Sequence, residues 1–152
     1  MGITKTLSEN KKALFNYQVV EKFRAGLVLK GQEVKSIRQG KMNLAGSFVV
    51  IREGEIFLIG ASVPPYQPKN LREEYNPQRT RKLLLTKREI GHLVGLTQQK
   101  GLTLVPLSVY NDERNQIKLN FALVKGKREI DKREVIKKRE TDREIRRVFK
   151  KL

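Results

Sequence analysis

Cysteine and tryptophan are absent from this 152-residue chain, and histidine occurs once. Without cysteine there is no disulfide framework and no thiolate zinc site, and the reducing cytoplasm is the expected home. A single histidine, His92, leaves no His–Cys or His–His pair from which nucleophile–base couples and His-rich metal sites are usually built. It reads as a surface or half-buried structural residue. Ser36 and Ser108 have no evident base, and no Gly-rich phosphate cradle of Walker or dinucleotide type occurs. The carboxylates Glu33, Glu53 and Glu55 show no pairing beyond that of solvated turns and helix faces. No apolar run approaches the ~18 residues of a membrane-spanning helix, and Met1–Lys12 is polar where a secretory signal would be apolar. The usual routes to catalysis are thus missing, and neither metal nor cofactor is expected.

Positive charge is abundant. Lys and Arg number 33 against 16 acidic residues, a net charge of +17. Each phosphate neutralised by Lys or Arg releases condensed counterions and drives association, so the composition points to a polyanion and first to nucleic acid. A membrane surface is the weaker candidate, because no long helix opposes a broad apolar face to a basic one.

The length fits one domain, with a core large enough to need no staple. From Leu14 to Leu29, β-branched and aromatic residues surround Ala25-Gly26, which suggests two strands joined tightly there. Gln32–Gln39 reads as a short helix with Lys35, Arg38 and Lys41 on one side. Phe48–Arg52 and Glu55–Ile59 flank Glu53-Gly54, a hairpin with the glycine a tight turn needs. Pro64, Pro65, Pro68 and Pro77 mark an exposed loop of about fifteen residues. Thr86 to Glu89 fits a capping box for a helix ended by Gly101. Leu102–Tyr110 and Gln116–Val124 are two more strands, the second alternating with one buried face. About six short strands with two helices suggest an OB-fold-like β-barrel with peripheral helices over residues 1–124, since closure removes exposed edges.

Residues 125–152 have a different texture. Thirteen basic residues against six acidic ones leave +7. Ile145, Val148, Phe149 and Leu152 form a narrow apolar stripe at helical spacing. Such a tail can become helical but buries too little to order itself, so it is expected to stay disordered until a partner binds.

Three basic groups stand out: Lys35, Arg38 and Lys41; Arg79-Thr80-Arg81-Lys82 leading into Leu83-Leu84-Leu85; and Lys125-Gly126-Lys127-Arg128. Arg in such clusters can fork onto phosphates. Tyr66 and Tyr75 are the few loop aromatics available for base stacking, which favours reading RNA by shape and backbone.

The chain resembles the SsrA-binding protein (small protein B, SmpB) family. The resemblance rests on Asn10-Lys11-Lys12-Ala13, on Ala25-Gly26-Leu27 with Gly31, and on Glu33-Val34-Lys35-Ser36-Ile37-Arg38. Gly54-Glu55, Asn76-Pro77, Arg79 through Leu85, Glu89-Ile90, Gly101 through Leu107, Gly126-Lys127 and Asp131-Lys132-Arg133 continue it, in order and with few gaps. It implies an OB-fold that binds the transfer-RNA-like domain of transfer-messenger RNA. It also implies delivery, with elongation factor Tu, to ribosomes stalled without a complete codon. The implied partners are that RNA and the ribosomal RNA of the decoding region and messenger channel, with no membrane; the protein would act as a monomeric, non-catalytic adaptor. A structural ribosomal protein is the alternative.

The resemblance places RNA contacts at Asn10, Leu84 and Lys118. Arg24 stands where the family usually has Glu and offers a phosphate contact instead. With the basic groups, the expected RNA-binding set is Asn10, Arg24, Lys35, Arg38, Arg79, Arg81, Lys82, Leu84, Lys118, Lys125 and Lys127. The tail is expected to become helical in the empty messenger channel, with Ile130, Asp131, Lys132, Arg133, Lys137, Lys138 and Arg139 at the decoding centre. Ile130 replaces the His or aromatic that the family often has, so packing takes the place of stacking there.

Overall fold

The computed structural model describes residues 5–67, 75–126, 141 and 143–149. Among these residues seven strands form one antiparallel sheet: β1 (Lys5–Glu9), β2 (Tyr17–Leu27), β3 (Phe48–Arg52), β4 (Glu55–Ile59), β5 (Arg81–Leu84), β6 (Leu102–Asn111) and β7 (Ile117–Gly126). Among the described residues three helices accompany the sheet, α1 (Lys11–Asn16), α2 (Gly31–Arg38) and α3 (Lys87–Thr97), and residues 143–149 of the tail are also helical. Pairings run β6–β3–β4–β5–β2–β7 and from β7 back to β6, with β1 added alongside the far half of β6.

The hairpin, the capping box and the final two strands fall where the sequence places them, while residues 68–74 of the proline-marked loop, Pro68 included, lie outside the described residues. Glu53 and Gly54 both take positive φ, 53° and 78°, as a two-residue turn with the right twist requires. Thr86 Oγ1 accepts the Glu89 amide at 3.1 Å while Glu89 Oε1 accepts the Thr86 amide at 3.2 Å.

Two expectations are corrected. The polar start contains an edge strand, β1. The two strands expected between Leu14 and Leu29 are instead the short helix α1 and the single long strand β2, and Ala25-Gly26 is no turn. Gly26 pairs with Lys118 of β7 on one side and Leu84 of β5 on the other.

The core lies inside the ring of pairings. Leu119, Phe121 and Leu123 of β7 pack there with Ala25, Val49, Ile56, Leu58, Leu83, Leu104 and Val109. Ile37 of α2 and Leu93 of α3 also enter this core, both at 0% exposure. A smaller second cluster occupies the other face of the sheet: Ala13, Val105, Leu107, Ala122 and Val124, flanked by Tyr17 and Val19. The end of β7 is therefore buried on both faces, where strict alternation predicts one.

Two bulges make this possible. Pairing of β2 with β7 shifts between Val19 and Glu21, and pairing of β6 with β7 shifts between Pro106 and Ser108. An extra residue in one strand reverses which side its later side chains face. Tyr17 and Val19 thus join the outer cluster, while Phe23 and Ala25, in the same odd-numbered sequence phase, point into the main core.

Candidate nucleic-acid interface

Beyond the bulge, Lys22, Arg24 and Gly26 of β2 oppose Ala122, Asn120 and Lys118 of β7. Directly opposed residues of an antiparallel pair share a face. Since Phe23, Ala25, Leu119 and Phe121 fill the inner face, these residues lie outside. Ser108 and Tyr110 extend the same face onto β6, opposite Asn120 and Lys118.

Two adjoining grooves cover this surface, and Arg24 lines both. One, of about 520 Å³, has Glu9, Asn10, Lys11, Lys22 and Phe23 on its walls, with Leu107, Ser108 and Asn120. The other, of about 510 Å³, is lined by Gly26, Leu84, Thr86, Glu89, Asp112 and Lys118 among others. Lys11, Lys22 and Arg24 are exposed, and Leu84 is an apolar side chain left 54% exposed beside them. Cations for phosphates and an apolar contact for a sugar or base edge therefore occur together.

Of the sequence candidates, Asn10, Arg24, Leu84 and Lys118 meet here. Asn10 is the floor rather than a free hand. Its amide donates to the Leu107 carbonyl at 2.8 Å, and its Nδ2 to the Pro106 carbonyl at 3.0 Å, holding the start of α1 against the β6 bulge. Gly26 keeps the surface low. A Cβ there would lie 3.3 Å from Leu84 Cβ and 3.5 Å from Lys118 Nζ.

The Arg79–Lys82 run is mostly spent internally, which corrects the expectation for Arg81. Its side chain has 0% exposure and forks onto Glu33, with Nε at 3.0 Å and Nη2 at 2.7 Å from Oε2. It also donates to the carbonyls of Ala61 and Pro77. A guanidinium so enclosed has no surface for a phosphate. Arg79 grips the same carboxylate, Nη2 2.6 Å from Oε1, and keeps only 28% of its side chain exposed. Lys82 is exposed but pairs with Glu55 at 3.0 Å.

Glu33, read from sequence as an ordinary solvated carboxylate, is the centre of this cluster and is 1% exposed. Burial by itself would raise its pKa. The hydrogen bonds from Arg79 and the Lys30 amide, with the charge and hydrogen bonds of Arg81, outweigh that and hold it below its ordinary value. Burial holds the Arg81 pKa below its ordinary value, while the charge of Glu33 and the hydrogen bonds to it push the other way. The described ends of the proline-marked segment are tied together beside the cluster. Tyr75 donates its hydroxyl to the Val63 carbonyl at 2.7 Å, and Val63 N donates to Pro77 O at 2.9 Å. Tyr75 is therefore an anchor, not a free stacking platform, and burial raises its pKa.

Lys35, Arg38 and Lys125 are exposed but away from the grooves. Lys35 sits over the Tyr66 ring at 5.5 Å, and Arg38 Nη2 donates to the Asn115 carbonyl at 2.8 Å. His92 is exposed and touches Glu21 at 3.3 Å, tying α3 to β2. Lys127, Ile130, Asp131, Lys132, Arg133, Lys137, Lys138 and Arg139 lie outside the described residues. Among the described residues no group of three His, Cys, Asp or Glu could hold a metal ion, and no helix is long and apolar enough to cross a membrane.

The family model described as SmpB protein matches residues 7–151. The SsrA-binding protein of Coxiella burnetii (strain Dugway 5J108-111) is 51% identical over 146 residues, covering 96% of this chain and 91% of that one. The SsrA-binding protein of Rhizobium meliloti (strain 1021) is 46% identical over 148 residues, covering 97% and 92%. A solved structure described as "tmRNA-SmpB: a journey to the center of the bacterial ribosome" aligns at a TM-score of 0.66 and 44% identity, over 79% of this chain and 83% of that one.

Proposed function

The chain belongs to the SmpB protein family, and from that premise we propose that it partners transfer-messenger RNA in trans-translation, binding its transfer-RNA-like domain and accompanying it to stalled ribosomes. The observation that carries this reading is the convergence of Asn10, Arg24, Leu84 and Lys118 on one grooved face of the sheet. These residues are distant in sequence and share no local motif.

The ring of strand pairings supports reading residues 1–124 as an OB-like barrel, an architecture whose faces suit nucleic acid. On this reading the barrel holds transfer-messenger RNA through its backbone. Residues 125–152 enter the empty messenger channel and answer to the decoding centre in place of codon–anticodon pairing. Elongation factor Tu shares the delivery complex. The protein works in the cytoplasm as a non-catalytic adaptor, its chemistry confined to charge, shape and hydrogen bonding.

One experiment with two arms tests the division. Truncation after Gly126 leaves binding to transfer-messenger RNA nearly intact and abolishes tagging on stalled ribosomes. Replacing Arg24 and Lys118 with alanine weakens RNA binding, and the salt dependence of log K falls by roughly 0.7–0.9 for each phosphate left without its cation. If truncation removes the RNA affinity, or the double variant binds with unchanged affinity and salt slope, the assignment is wrong.

A further inference from the structure

The β3–β4 hairpin is apolar on both faces. Val49, Ile56 and Leu58 fill the core, but Phe48, Val50, Phe57 and Ile59 alternate with them and face outward. Continuous apolar strands imply cover on both sides. On this outer face the ring of Phe149 meets Phe57 edge-on, with centroids 5.3 Å apart, and the Arg52 guanidinium lies 4.6 Å from the centre of the Phe149 ring. Residues 143–149 are helical, and their exposure is one-sided. Ile145, Val148 and Phe149 are half-buried, whereas Arg143, Arg146 and Arg147 face solvent.

We propose that the outer face of the β3–β4 hairpin is a resting dock for the chain's own C-terminal helix, held by Phe149 between Phe57 and Arg52. The occupant is fixed by the contact itself, and the helix's apolar stripe matches the half-buried Phe48, Val50 and Phe57 of this face in chemistry. The dock has a regulatory consequence that rests on the function proposed above. A tail that works in the messenger channel must first leave this face, so the free protein holds its tail against the barrel and the ribosome must compete for it. The contact is small, one edge-on aromatic pair and one cation–π pair sharing a single half-buried ring. Such a contact holds a tail and also lets it go.

The chain has no cysteine, so Arg147→Cys creates a single attachment point for a nitroxide on the exposed side of the helix. In the free, full-length protein the label should broaden the amide signals of residues 50–57 selectively. Adding Phe149→Ala, or separately Phe57→Ala, should restore them. Unbroadened hairpin signals in the labelled protein, or broadening that survives both substitutions, overturns the dock. This measurement involves neither RNA nor ribosome, so its failure leaves the proposed function standing. Conversely, a dock found in a protein whose truncated form still tags stalled ribosomes would survive while the functional reading fell. With stalled ribosomes added, the short distance that pulsed dipolar EPR reads between this nitroxide and a second at Glu53→Cys should disappear; its persistence on ribosome-bound protein would refute the competition.

Discussion

Glu33→Gln isolates the buried ion cluster with almost no change of shape. The native carboxylate accepts five N–H bonds: one from Lys30, two from Arg79 and two from Arg81. Glutamine can accept at one oxygen, but its NH2 group then points donors at donors. Arg79 can turn its partly exposed head toward water; Arg81, at 0% exposure, cannot. Removing one partner of a buried pair typically costs about 3–5 kcal/mol, a large share of the ~5–15 kcal/mol that holds a domain together. The melting temperature should fall by about 6–20 °C at this chain length. Acidity supplies a second readout. The folded-state pKa of Glu33 is lowered, so its stabilisation is complete above the unfolded-state value. It is lost as pH falls through the folded-state value, where the protonated acid resembles glutamine. Urea denaturation of both proteins from neutral pH downward should show a stability gap that closes in acid. A gap below about 1 kcal/mol at neutral pH, within the range of an ordinary surface change, or a gap that persists unchanged in acid, would refute the role assigned to the cluster.

Gly26→Ala places a methyl group 3.3 Å from Leu84 Cβ and 3.5 Å from Lys118 Nζ without demanding positive φ. RNA affinity should therefore drop by a larger factor than the folding equilibrium, compared by titration and denaturation of the same sample. Gly54→Ala meets no neighbour but puts a side chain at φ 78°. It should cost about 1–2 kcal/mol of stability with RNA affinity unchanged, since the hairpin turn is remote from the grooves.

Much of the fold is legible because the signals are local. The Glu53-Gly54 turn and the Thr86–Glu89 cap are settled within four residues of chain. The misread elements lack such signals: α1 spans only Lys11–Asn16, too short for helical periodicity to declare itself, and β1 is a mostly polar edge strand. Arg81 is a different case. It sits two residues before Leu83, and strand alternation puts the two on the same, inward side. The signal existed, but the surrounding run of cations suggested a solvated cluster. Its partner Glu33, 48 residues earlier, gives no local hint.

The grooved face was the harder object to read, because its existence depends on the bulges rather than on any residue type. An unbroken β2 would keep Tyr17, Val19, Phe23 and Ala25 on one side and would leave Gln18, Val20, Lys22 and Arg24 together on the other. The shift between Val19 and Glu21 divides that face. Its near end becomes apolar and is closed by Ala13 of α1, while its far end presents Lys22 and Arg24 beside Lys118. Asn10, latched to the second bulge through Pro106 and Leu107, joins the two ends. The same irregularities therefore seat α1 on the sheet and leave open, immediately beside it, the basic surface assigned to RNA. This accounts for Asn10 and Arg24 sharing one groove although one is buried and the other exposed: the first holds the wall in place, and the second supplies the charge.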